Sequence, residues 1–245
     1  MMHSLPKLKP NLSTRPHGLS KTHVIKLGGL DLIPDLSGSL FVPDYNTLLV
    51  ADLHLEQGAS LARRGIHAPP YDSRQSLAQL ASVVSAISPE QLIFLGDSFH
   101  DSSAEKYIAD EDRAALLQIT ALRNTMWITG NHDPYASESL GGESADEVIL
   151  GPITLRHVPK LDLGDEFEIS GHLHPGATIT QRGRHIRTKC FVGDERRLIL
   201  PAFGSYTGAF SISAPAFNNL FDDSKTEVFM LGQSAIHKFP RHKLR

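Results

Sequence analysis

Three short apolar runs in the first half of the chain each end on a polar motif. Thr47-Leu48-Leu49-Val50-Ala51 leads into Asp52-Leu53-His54, and Gln91-Leu92-Ile93-Phe94-Leu95 into Gly96-Asp97-Ser98-Phe99-His100-Asp101. Met126-Trp127-Ile128-Thr129 leads into Gly130-Asn131-His132-Asp133. Runs this short and this continuously apolar read as strands buried on both faces, the pattern of a sheet held between two layers. Such a chain is confined to α/β architectures, and it delivers carboxylate, amide and imidazole to the carboxyl ends of its strands, where open α/β sheets bind ligands. Two further pieces lie downstream, the lone His157 and Gly171-His172-Leu173-His174.

Any one of these motifs could be a surface turn; five in this order suggest a pair of metal ions. Two hard divalent cations set close together need a carboxylate to share, with imidazole and carbonyl oxygen completing each shell without excess negative charge. Asp97 suits the shared position. In order and spacing the motifs resemble those of the calcineurin-like metallophosphoesterase superfamily, D-x-H, G-D-x-x, G-N-H-[DE], a lone His and G-H-x-H. The resemblance implies one ion on Asp52, His54, Asp97 and His174 and a second on Asp97, Asn131, His157 and His172. It implies an imidazole, His132, that contacts the scissile phosphate and helps the leaving oxygen depart, and a carboxylate, Asp133, that orients it. An alternative for His132 is a hydrogen bond to a neighbouring ligand with no chemical role. His100, three residues past Asp97, resembles an imidazole that positions DNA in the repair-nuclease branch of the superfamily; a loop histidine capping the next helix would have the same spacing.

Beyond the metal motifs, Ala51–Gly58, Arg64-Gly65 with Pro69–Asp72, Leu95–Asp101, Gly171–Pro175, Cys190-Phe191 and Leu200–Gly208 resemble the bacterial ligase-associated DNA damage response endonucleases. The likeness runs from about Val24 to about Lys238, with Lys189 standing where arginine is expected. It implies manganese-dependent cutting of single-stranded DNA, phosphodiester hydrolysis, and functional association with a DNA ligase and a helicase. The implied fold is an α/β four-layer metallophosphoesterase sandwich, two packed mixed β-sheets flanked by helices. Rival readings of the same chemistry are a small-substrate metallophosphatase or nucleotide pyrophosphatase; a non-catalytic scaffold would have no use for a complete ligand set.

A formal charge of −3 and a pI near 6.5 are not those of a bulk DNA binder. The basic residues are uneven, however. No acid precedes Asp31, where Lys7, Lys9, Arg15, Lys21 and Lys26 lie, and none follows Glu227, where Lys238, Arg241, Lys243 and Arg245 lie. Two bound divalent ions would add about four positive charges at the site itself. Cys190 is the sole cysteine, in an alternating run, and reads as a buried structural thiol in a reducing compartment. No apolar run reaches the ~18 residues of a membrane span, and the start lacks a secretory signal, so a cytoplasmic protein without membrane contact is expected.

Residues 1–22 are expected to be a disordered basic arm, 23–240 a single domain and 241–245 a basic tail. Strands are expected at Val24–Ile33 and Ser39–Val42, then a loop through Arg63, Arg64 and Tyr71 lining the groove. A helix begins at Asp72, with apolar residues at Leu77, Leu80, Val84 and Ile87 and Pro89 beyond its end. A second runs from about Asp110 to Leu122. The downstream half reads as strands at Val148–Leu150, Ile153–His157, Phe167–Ser170, His185–Val192, Arg197–Pro201 and Glu227–Lys238. Candidate substrate contacts are Arg63 and Arg64, the hairpin tip Arg182 and Arg184 continued by Arg187 and Lys189, and the loop Phe203–Gly208. There Phe203 and Tyr206 could stack on bases, or the glycines could serve close packing beside the metals.

Overall fold

The structure, a computed structural model, describes residues 6–8, 23–66, 69, 71–133, 140–181 and 183–244. In chain order the strands are β1 Lys7–Leu8, β2 Ile25–Leu27, β3 Leu30–Pro34, β4 Leu40–Val42, β5 Thr47–Val50, β6 Gln91–Leu95, β7 Asn124–Ile128, β8 Glu143–Ala145 and β9 Glu147–Leu150. They continue as β10 Ile153–Arg156, β11 Phe167–Ser170, β12 Pro175–Gln181, β13 Arg184–Gly193, β14 Arg197–Ile199, β15 Phe210–Ser211, β16 Glu227–Leu231 and β17 Ile236–Pro240. The helices are α1 Gln57–Arg63, α2 Asp72–Ile87 and α3 Asp110–Thr120.

Strands β2 to β8 form one mixed sheet in sequence order, with β5, β6, β7 and β8 parallel. The other ten described strands form the second sheet, ordered β1-β9-β10-β11-β14-β13-β12-β15, with the β16–β17 hairpin attached to β13. The two sheets pack face to face. In β5 and β6 the alternation is explicit: Leu49, Ile93 and Leu95 enter the core between the sheets, while Leu48, Val50, Leu92 and Phe94 face the helices. Side chains alternate across a strand, so an unbroken apolar run fills two cores at once. The core between the sheets is completed by Val148, Leu155, Ile169, Phe191, Leu198 and Phe229 of the second sheet. On the helix side, Leu77, Leu80, Val84 and Ile87 of α2 and Leu116 and Ile119 of α3 pack with Phe94 and Trp127, whose rings stack 4.1 Å apart.

Several local features differ from the sequence expectations. Residues 57–63 form a helix ahead of the expected groove loop. Glu227–Lys238 is two strands, β16 and β17, broken at Gly232-Gln233-Ser234-Ala235. Of the expected arm, Lys7 and Leu8 are paired in parallel with Ile149 and Leu150; its remaining residues, apart from Pro6, lie outside the described residues. Among the described residues, the outer face of the second sheet is covered by the segment bearing Ile212, Phe217 and Leu220, together with Leu244. No helix among the described residues is long and apolar enough to cross a membrane.

Phe191 is fully buried between the sheets. Phe191→Ala is expected to cost about 3–5 kcal/mol, seen in urea unfolding as a lower midpoint at unchanged slope.

Candidate metal centre

The loops leaving β5, β6 and β11 carry their polar residues on left-handed backbone. Asp52 (φ 53°), His54 (φ 45°), Asp97 (φ 48°), His172 (φ 68°) and His174 (φ 42°) all lie there. A side chain in this region costs about 1–2 kcal/mol, and such strain gathers where function maintains it. The first two loops are tied by His54 N donating to Asp97 O (2.9 Å) and Leu55 N to Ser98 O (2.9 Å). Gly96 is required by close approach: a Cβ there would lie 2.5 Å from the His157 ring.

Two donor clusters result, Asp52, His54 and His174 in one and Asp97, His157 and His172 in the other, the donor atoms of each within 4.8 Å of one another. In the second, His157 Nδ1 donates to Leu95 O (2.9 Å). Since a carbonyl only accepts, His157 Nε2 carries its lone pair in the neutral ring. That lone pair faces Asn131 Oδ1 at 2.9 Å, Asp97 Oδ2 at 3.2 Å and His172 Nδ1 at 3.2 Å. In the first, His54 Nε2 and His174 Nε2 lie 3.2 Å apart, and Asp52 Oδ1 is 3.2 Å from His174 Nε2. Asp97 Oδ1 accepts the His132 amide (2.9 Å), leaving Oδ2, 3.2 Å from His157 Nε2 and 3.9 Å from His54 Nε2, within reach of both clusters.

These residues fit two divalent cations. With the His157 ring neutral, its Nε2 and Asn131 Oδ1 are two acceptors facing one another at 2.9 Å, an arrangement that a cation relieves. The observed 3.2 Å nitrogen separations also match the about 3.0–3.4 Å spanned by two imidazoles on one ion with ~2.1 Å bonds. Burial pushes the His54 imidazole down to about 4, further than nearby Asp52 can raise it, so the ring is neutral at ordinary pH, the form that can bind a metal. Burial alone would raise Asp97, but the hydrogen bond and charge of His157 and the His132 amide hold it at about 2, ionised.

His132 lies beside this centre with its side chain 44% exposed. Its Nδ1 donates to the His100 carbonyl (2.9 Å), and its Nε2 is 4.0 Å from Asp97 Oδ2. Asp133 does not orient that ring, contrary to the expectation from sequence. Its chain turns beneath the Asp97 loop, where Asp133 Oδ2 accepts Ser98 N (2.7 Å) and Phe99 N (3.1 Å). Burial, helped by the Asp97 charge and opposed by those amides, raises Asp133 to about 6. The His100 ring packs against both His54 (5.7 Å) and His132 (5.8 Å), whose own rings are 5.3 Å apart. It caps no helix; the next turn is held by Asp101, which accepts Ser103 N (2.9 Å).

The candidate substrate contacts separate. Arg63 lies over the Tyr107 ring (4.4 Å) and 3.4 Å from Asp101; Arg64 is exposed. Arg182 lies outside the described residues. Arg184 and Arg187 are exposed but, by strand alternation, point to opposite faces of β13. Lys189 is engaged rather than free: its ammonium donates to Ala202 O and Gly204 O, both 2.8 Å, and so clamps the loop packed on Asp52. Phe203 is buried in the core and offers no ring to a base, while Tyr206 is half-buried. Gly204 serves close packing, since a Cβ there would meet Leu53 O at 2.4 Å. Phe210, which no sequence pattern singles out, lies 6.1 Å from the His174 ring.

A family model described as calcineurin-like phosphoesterase matches residues 45–196. Among solved structures, the nuclease MPE of Pseudomonas putida is similar at 29% identity, covering 88% of this chain and 99% of its own, with a TM-score of 0.67. The E. coli phosphoesterase Yfce is similar at 14% identity, covering 79% and 98%, with a TM-score of 0.41. No curated protein matches the chain.

Two outcomes follow from the geometry. Manganese is expected to raise the melting temperature of the native chain, as any ligand of the folded state does. Gly96→Ala, which displaces the His157 ring, should show a markedly smaller rise by calorimetry. Burial, against the Asp52 charge, lowers Lys189 from 10.5 to about 8. Between those values the unfolded chain holds the proton and the folded one releases it, so this residue makes stability rise with pH. Urea unfolding from pH 8 to 10 should show that rise, reduced in Lys189→Met.

Proposed function

The chain belongs to the calcineurin-like phosphoesterase family and is a metal-dependent phosphoesterase; we propose that its substrate is single-stranded DNA, cut internally by phosphodiester hydrolysis with manganese as the metal. The observation that carries the two-ion chemistry is Asp97 Oδ2, within 4 Å of imidazole nitrogens in both clusters. The likeness to a nuclease over nearly the whole of both chains supports the substrate class. A place in DNA repair beside a ligase and a helicase, in the cytoplasm, belongs to the same reading.

Asp52, His54, Asp97 and His174 would hold one ion, and Asp97, Asn131, His157 and His172 the other. Bound there, the ions supply Lewis acidity that activates water and neutralises the charge growing on the phosphoryl oxygens. Because the Nδ1 proton of His132 is committed to the His100 carbonyl, Nε2 is the atom facing the departing oxygen, and the imidazolium form, with a second proton on Nε2, would give that proton to it and return to the neutral ring. His100 is a positioning residue acting through that carbonyl. Asp133 positions the shared carboxylate by fixing the amides of Ser98 and Phe99. Arg63, Arg64, Arg184 and Arg187 supply positive charge around the site, the last two from opposite faces of β13, with Arg182 and Tyr206 as further contacts; Lys189 positions the loop over Asp52.

His132→Ala is expected to retain both metals and lose roughly two to four orders of magnitude in rate, as on loss of a general acid. Elemental analysis beside turnover would decide, and loss of the metals in this variant would refute the assignment. Affinity for single strands should fall by about 0.7 logarithmic units per contacted phosphate for each tenfold rise in salt. The direct test is labelled single-stranded, duplex and mononucleotide substrates in manganese, before and after chelation. Cutting of the single strand that chelator abolishes supports the reading; an intact single strand beside efficient mononucleotide hydrolysis overturns it.

A further inference from the structure

Of the eleven phenylalanines, all within the described residues, Phe210 alone is exposed, at 61%. It is not a loose side chain on a loop. Phe210 opens β15, paired in parallel with β12 opposite Pro175, and its amide donates to His174 O (2.9 Å). Two residues on, Ile212 N donates to Gly176 O (3.0 Å), and the Arg187 guanidinium donates to Ala209 O on the other side. The backbone that carries the ring is thus fixed, and the ring lies next to a metal-cluster histidine, its centroid 6.1 Å from that of His174 and inclined 34° to it.

An exposed apolar ring on a firmly held backbone forgoes the favourable transfer from water that the other phenylalanines obtain by burial. The exposed Tyr107 differs, because the Arg63 guanidinium covers its ring at 4.4 Å. Phe210 offers a flat apolar face beside the phosphate-binding centre, with a cation at its flank. Every nucleobase has a matching face, and stacking of this kind tolerates any sequence. We infer that Phe210 is the stacking platform for a nucleobase adjoining the phosphate held at the metal centre. The inference rests on the single-stranded DNA reading above.

The test compares oligothymidylate with an oligomer of equal length carrying abasic tetrahydrofuran sites, both cut by the manganese-loaded full chain. Phe210→Ala is expected to raise KM for oligothymidylate by about 5- to 100-fold, the value of one stacked base. KM for the abasic oligomer should stay within twofold, and Phe210→Trp should retain native behaviour on both. An unchanged KM on oligothymidylate overturns the inference. So does an equal loss on both oligomers, which would make Phe210 a support for His174, and so does a Phe210→Trp variant as impaired as the alanine. Those failures leave the substrate reading intact, whereas a native chain that cuts neither oligomer defeats that reading and this inference together.

Discussion

Two carboxylates and four imidazoles occupy one largely buried patch, and the rest of the structure is arranged around that concentration of electron pairs. Asp52 is fully buried and Asp97 almost so. Buried groups of one sign are costly unless compensated by opposite charge and hydrogen bonds. Part of the compensation is internal: His172 N donates to both Asp52 oxygens, and His132 N to Asp97 Oδ1. The remaining lone pairs converge in two places, and divalent cations answer that arrangement directly.

The scaffold supplies rigidity where strain is stored. The first sheet is gripped on both faces, so the loops leaving β5 and β6 start from fixed ends. On the second sheet, Arg156, immediately before His157, is buried among Glu147 and Glu166 (each 2.8 Å) and Glu168. Removing Arg156 would strip the fully buried Glu168 of its nearest opposite charge, and the strand carrying His157 is held accordingly. Five left-handed residues in the donor set are tolerable on such a frame because alternative backbone paths would disturb packed strands.

Much of this was legible in the sequence because the relevant signals are local. Apolar runs followed by donors identify β5, β6 and β7, and the i, i+3, i+4 stripe from Leu77 to Ile87 identifies α2. The donors that resemblance grouped are the ones the fold brings together. What escaped depends on contacts distant in the chain. Helix α1 contains Gly58, begins without a side-chain cap and follows a left-handed Glu56, so its start signal is absent. Asp133 follows His132 directly, yet its partners are amides more than thirty positions earlier. Lys189 reads as a rim cation beside Arg187, and only the return of residues 202–204 over β13 turns its ammonium inward. The split of β16 from β17 was the exception, since Gly232-Gln233-Ser234 is an ordinary turn signal.

The central claim is that one carboxylate joins two metal sites, and metal stoichiometry tests it most directly. Equilibrium dialysis against manganese should give two ions per native chain, and at most one, weakly held, in Asp97→Ala. Two ions retained at native affinity in the variant, or fewer than two in the native chain at saturation, would contradict the account.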